Sequence, residues 1–146
     1  MDLSTKEVVG YALSQTPNAQ LIAEALNNVI KCKQPSTQDL LLHSDRGVQY
    51  SASLFRNRLS KLNITQSMSR RGNCWDNAVM KRFFRSLKTE RLNHLLFINH
   101  QSLVSTVEGY IRFYNYERRH SGLDYMTPHQ KYIEMKKAAQ NISNFT

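Results

Sequence analysis

The sequence predicts an α/β domain with an α-helical segment appended to it. Short apolar or β-branched runs alternate with amphipathic helical patterns through the first half, and the second half shows helical spacing only. No repeat, low-complexity tract or long linker divides the chain, whose 146 residues match one ordinary domain.

The elements follow in order. Glu7–Leu13 is rich in β-branched and aromatic residues and ends at Ser14-Gln15-Thr16-Pro17, which reads as a strand. Pro17 suits a first helical turn. After it Ile22, Ala25, Leu26, Val29 and Ile30 recur at helical spacing, so residues 18–30 read as an amphipathic helix. A polar connector leads to Leu40–His43, a short buried strand closed by the turn residues Ser44-Asp45-Arg46-Gly47. Ser51–Leu62 reads as a helix with Leu54, Phe55, Leu59 and Leu62 as its stripe and Ser51 or Ser53 as its cap. Ile64–Met68 is a short strand, and residues 69–73 are a polar loop.

The longest helical pattern spans about Cys74 to Asn93. Trp75, Val79, Phe83 and Leu87 step by four, with Met80 and Phe84 widening the stripe. Leu103, Val107, Tyr110, Ile111 and Tyr114 set a helix over residues 101–117. Thr127-Pro128, a cap followed by a first-turn proline, opens a terminal helix through Lys136.

Composition excludes several classes. Forty per cent apolar and 10% aromatic residues are too many for a disordered polycation. The longest run without a polar residue or glycine is Leu95–Ile98, far short of a membrane span, and the N-terminus carries no secretory pattern. Cys32 and Cys74 match no metal spacing or disulfide framework and read as reduced thiols of a cytosolic protein. The five histidines lack zinc-site spacing, and there is no nucleophile elbow. Twenty Lys plus Arg against eleven Asp plus Glu leave +9, which points to a polyanionic partner.

Two features could carry that function. Asp45 directly follows a buried strand, where open α/β sheets place ligands; on position alone it is either such a group or a turn aspartate capping the next element. Residues 68–91 hold seven basic side chains (70, 71, 81, 82, 85, 88, 91) against two acidic ones (76, 90), so +5 of the +9 lies here. Lys81, Arg85 and Lys88 fall on one helix face, which is either a solvated surface or a phosphate-contacting one. Tyr110, Phe113, Tyr114 and Tyr116, beside Arg118, Arg119 and His120, could stack bases, but aromatics at helical spacing are more often core.

HSDRGVQY (43–50), SMSRRGNCWDNAVMKRFFRSLKTE (67–90) and the YN-x-x-R-x-H-S-x-L-x-x-x-TP pattern from Tyr114 to Pro128 resemble transposases of the insertion-sequence-three family. The resemblance covers nearly the whole chain. It implies a ribonuclease H-like fold of the retroviral-integrase group, N-terminally truncated, with a C-terminal helical extension: a partial catalytic core over residues 1–93, lacking its first strand or strands, and the extension over 94–146.

It also implies a mechanism in which three carboxylates hold two divalent ions, Mg²⁺ or Mn²⁺, for attack on a phosphodiester. Asp45 matches the second carboxylate and is the expected catalytic and metal-binding residue. The third is normally a glutamate after 35 intervening residues; here 81 − 45 − 1 = 35, and the residue is Lys81. The first lies on a strand before the start of this sequence, and Asp2 matches a different family aspartate. The chain alone is therefore expected not to cut or join DNA.

The family's DNA-contacting positions after the third carboxylate are Arg85 and Lys88, and Arg46, Arg70, Arg71 and Lys81 complete the expected DNA-binding set. The partners implied are element ends and target DNA, with a homo-oligomer or a mixed oligomer with full-length transposase, in the bacterial cytoplasm at the nucleoid. The alternative is a non-enzymatic DNA-binding or regulatory remnant.

Overall fold

The computed structural model describes residues 1–70 and 77–143. They fall into two compact units: an αβ unit, Val9–Lys81, and a helical unit in which Met1–Val8 join Arg82–Thr146.

In the αβ unit, α1 spans Ala19–Lys33. Asn18 caps it by accepting a hydrogen bond from the Leu21 N–H at 2.8 Å. Pro17 thus stands just before the cap, outside the first turn. The helix runs three residues past the predicted end because Lys31 and Lys33 suit its C-terminal dipole. Gln34 then takes a left-handed conformation (φ 43°) that stops it.

Strand β1 (Leu41–Ser44) pairs in parallel with β2 (Thr65–Met68), with His43 opposite Ser67 and Ser44 opposite Met68. A parallel pair needs a crossover. Here it contains two helices, α2 (Val48–Ser51) and α3 (Ser53–Lys61), rather than one. Extended backbone at Ala52 (ψ 139°) divides them, and neither predicted serine acts as cap; the Ser51 hydroxyl donates to the Val48 carbonyl instead. Phe55 and Leu59 of α3, Ala23 and Leu26 of α1, and Ile64 form the core, flanked by Leu40, Leu42 and Tyr50. Tyr50 meets Phe55 edge to face, with centroids 5.8 Å apart.

Glu7–Leu13 is not a strand. A strand exists only through its ladder, and β1 and β2 pair solely with each other among the described residues. Side-chain amides serve this segment instead. In the helical unit, Asn115 accepts from the Val8 N–H at 2.9 Å and donates to its carbonyl at 3.0 Å, as a neighbouring strand would. In the αβ unit, Asn28 donates to the Tyr11 carbonyl at 2.9 Å.

Helix α4 (Ala78–Glu90) enters the helical unit, followed by α5 (His100–Tyr116) and α6 (Pro128–Ser143). The predicted helix start at Cys74 and its Trp75 contact lie outside the described residues. Phe83 of α4 meets the Tyr110 and Tyr114 rings of α5, and Leu87, Val107 and Ile111 are buried as well. The Phe83 and Tyr114 rings stand perpendicular at 4.9 Å. Phe84, predicted to widen the stripe, is half exposed and meets the Phe83 ring edge to face.

Asn99 and Ser102 form a capping box on α5. Thr127 and Gln130 do the same on α6, each side chain accepting from the other's backbone N–H at 3.2 and 2.9 Å. Past Lys136, α6 continues on residues such as Ala138 and Ala139, whose helix propensity needs no buried stripe.

Two glycines have opposite requirements. A Cβ at Gly10 would stand 2.4 Å from Val29 Cγ2 and 2.9 Å from the Val29 backbone nitrogen, so the segment lies directly on α1. Gly109, inside α5, has nothing within 4 Å. Gly10→Ala is expected to destabilise the chain by about 1–3 kcal/mol through overpacking. Gly109→Ala should stabilise it by about 0.5–1 kcal/mol by removing backbone freedom from the unfolded state. Urea denaturation of both variants checks the two signs.

Candidate nucleic-acid interface

The carboxyl end of the parallel pair is laced by side chains. His43 Nδ1 lies 3.0 Å from the Ser67 hydroxyl, and Nε2 lies 3.1 Å from that of Ser69. The Ser69 hydroxyl donates to the Ser44 carbonyl (3.3 Å), so it accepts from the His43 Nε2–H. The Ser69 N–H also donates to Ser44 at 2.9 Å. Arg46 closes the tie, its Nε donating to the Ser69 carbonyl at 3.0 Å.

Asp45 stands exposed on this braced turn, one oxygen accepting from the Gly47 N–H at 3.0 Å. A Cβ at Gly47 would lie 3.1 Å from that same oxygen, so a residue without a side chain leaves the carboxylate where it is. Burial, reinforced by the Asp45 charge, raises the Tyr50 hydroxyl above its ordinary pKa. Both readings of Asp45 therefore meet in one geometry. It makes a turn contact, and it remains an accessible carboxylate at the strand end.

Arg70 is exposed just beyond Ser69. Arg71 and the following residues 72–76, most of the GNCWDN motif, lie outside the described residues. Lys81, Arg85 and Lys88 are exposed on α4. At about 3.6 residues per turn they form one row opposite Phe83 and Leu87, whose burial sets which way the row faces. Asp2 caps its own turn, accepting from the Ser4 and Thr5 N–H groups at 2.7 and 3.2 Å.

Of the aromatic and cationic residues of α5 and the turn after it, Tyr110, Tyr114, Arg118 and His120 are structural, whereas Tyr116 and Arg119 are exposed. Tyr110 and Tyr114 are buried. Arg118 grips Glu90, the last residue of α4, with Nε at 2.9 Å and Nη2 at 2.6 Å from its two oxygens. Its Nη1 lies 3.2 Å from His120 Nδ1. Tyr110 donates to the same carboxylate at 2.8 Å. Composition alone could not show this clasp. It joins Glu90 to Arg118 across 28 residues, which no local pattern records.

Two models described as integrase core domain match the chain, over residues 1–74 and 62–128. The chain belongs to the integrase core family. Its relatives include the insertion element IS600 uncharacterized 31 kDa protein of Shigella sonnei, 39% identical over 92% of this chain and 50% of that one. The transposase for insertion sequence element IS904 of Lactococcus lactis is 33% identical over 88% and 51%. Transposase InsF for insertion sequence IS3A of Escherichia coli is 36% identical over 89% and 45%.

The chain is thus an integrase core of the insertion-sequence-three type, and it spans about half the length of these relatives. The catalytic core domain of BIV integrase shares its fold, with a TM-score of 0.58 over 86% of this chain and 78% of that one at 23% identity. The integrase core family generally uses divalent metal ions, and its transposases generally bind DNA and oligomerise. Among the described residues no helix is long and apolar enough to cross a membrane.

The clasp has a pH signature. Burial first, then the Arg118 and Lys6 charges, pull the His120 imidazolium from 6.5 down to about 4. The hydrogen bond from Arg118 holds the Glu90 carboxyl below its ordinary range. Between about pH 6.5 and 4 the unfolded chain binds a proton at His120 that the folded chain does not, so stability falls with falling pH across that window. Loss of the Glu90 contribution follows at lower pH. Thermal melts should show this acid decline, and His120→Gln, which keeps an acceptor without titrating, should flatten it; an unchanged slope would reject the assignment.

Proposed function

We propose that this chain is a transposase core that retains DNA binding and does not by itself cut or join DNA. The observation that carries this is the exposed row Lys81, Arg85 and Lys88 on α4, in which Lys81 stands where the resemblance to insertion-sequence-three transposases implies a glutamate. The change moves that position from −1 to +1. An ammonium group is not a metal ligand while protonated, and it repels the cations a two-metal centre must hold.

The residues present do not fit such a centre. Asp45 is an accessible carboxylate, but one of its oxygens is engaged by Gly47, and among the described residues no three His, Cys, Asp or Glu side chains gather to hold an ion. No chemical step is therefore assigned to them. Mg²⁺ or Mn²⁺ chemistry belongs to family members that carry the full acidic set.

The DNA-binding role follows from rigidity. Phe83 and Leu87 seat α4 along one side, and the Glu90–Arg118 clasp ties down its end, so the cationic row is presented without being ordered on binding. Each cation that meets a phosphate releases a counterion, which makes binding steeply dependent on salt. Arg46, fixed by a neutral carbonyl, and Arg70 add positive charge beside the strand end, and Arg71 follows them in sequence. The substrates are element ends and target DNA. In a bacterial cytoplasm such a chain would act at the nucleoid, alone or in mixed oligomers with full-length transposase, with residues 1–93 serving as core and 94–146 as helical extension.

Duplex binding followed by fluorescence anisotropy should weaken steeply as salt rises. Arg85→Ala and Lys88→Ala should each lower the slope of log affinity against log salt by about 0.9. Salt-insensitive binding, or slopes untouched by both changes, would refute the interface. Strand-transfer assays of the purified chain with Mg²⁺ or Mn²⁺ should give no joined product, and a product that forms with turnover would overturn the inactive assignment.

A further inference from the structure

We infer that Arg58, Lys31 and Lys61 form a second phosphate-contacting surface, on the αβ unit, for the backbone of duplex DNA. This rests on the DNA-binding role proposed above and adds a site that the family motifs do not include. Arg58 is half-buried where α3 meets α1, and its Nε and Nη2 both donate to Asn27 Oδ1, at 2.9 and 2.7 Å. An amide is neutral, so the guanidinium is immobilised while its charge is left whole. The contrast is Arg118, equally well held but neutralised by Glu90. Three of the five N–H groups of Arg58 remain for another acceptor. The side-chain entropy that binding an anion would normally cost is already lost in the folded chain.

Two further cations lie on these two helices, Lys31 on α1 and Lys61 on α3. Lys31 follows Asn27 by four residues and Lys61 follows Arg58 by three, so each shares a helix flank with the pair, and both are exposed. Among the described residues none of the three meets a carboxylate. Helix α3 contains no acidic residue, and the one acid of α1, Glu24, lies two turns from Lys31, about 10 Å along the axis. Three uncompensated cations spread over two helix flanks suit a repeating anion rather than a single small one. A sugar–phosphate backbone provides that repeat, read without regard to base sequence.

The test separates charge from architecture. Asn27→Asp keeps an acceptor for Arg58 but cancels its charge. The variant should stay folded by circular dichroism and melt no lower than the parent. It should bind a short duplex of arbitrary sequence with a salt slope reduced by about 0.9, roughly tenfold more weakly near 0.1 M salt. The double variant Lys31→Gln, Lys61→Gln changes only exposed side chains and should lower the slope by about twice as much, which keeps the test decisive if Asn27→Asp fails to fold. Parent-like slopes in these variants, with Arg85→Ala and Lys88→Ala still flattening theirs, would overturn this surface and leave the α4 interface standing. A parent chain that binds no duplex would overturn both.

Discussion

Four paired positions, Leu41–Ser44 against Thr65–Met68, hold the strand end on which Asp45 stands. So short a parallel pair has slanted backbone bonds and little area of its own, and it depends on what braces its ends. Beneath it lie Phe55 and Leu59, the most deeply buried side chains of the α3 crossover. At its carboxyl end His43 joins Ser67 to Ser69 across the strands, and Arg46 binds the same Ser69. Hydrogen bonds between His43 and both Ser67 and Ser69, and from Arg46 to Ser69, thus set an exposed carboxylate on a braced strand end.

The arginines divide by what holds them. Arg118 meets a carboxylate and is spent on architecture, fastening the end of α4 to the turn after α5. Arg46 and Arg58 meet a carbonyl and an amide, which orient a cation without discharging it. The same residue type thus performs opposite tasks, and the formal charge of the partner decides which. Net charge alone, +9, cannot make that distinction, because it counts Arg118 and Arg58 alike.

Periodicity made much of the architecture legible. The α1 stripe, the short apolar strand before Asp45 and the α5 pattern each lie close to where spacing put them, because burial on one face is what both spacing and folding respond to. Glu7–Leu13 departs from its predicted strand for the complementary reason: composition favours extended chain, but a strand needs a neighbour, and Asn115 and Asn28 stand in for one. The break at Ala52 was also hidden, since the stripe continues through it in sequence. Of the interface, the α4 row was visible as helical spacing and Asp45 as a motif. The Asn27–Arg58 pair was not, because it joins residues 31 apart through a tertiary contact that no local pattern records.

The Asn115 amide grips Val8 across a sequence separation of 107 residues. In sequence the αβ unit, Val9–Lys81, lies entirely between these two anchors. During synthesis on a ribosome it can therefore assemble while Val8 is still unclaimed, and Asn115 emerges only after α4 and most of α5 have been made. The helical unit is the late step of the pair. The Val8 backbone groups must wait for a partner translated long afterwards, so this join closes late in synthesis however early the αβ unit forms.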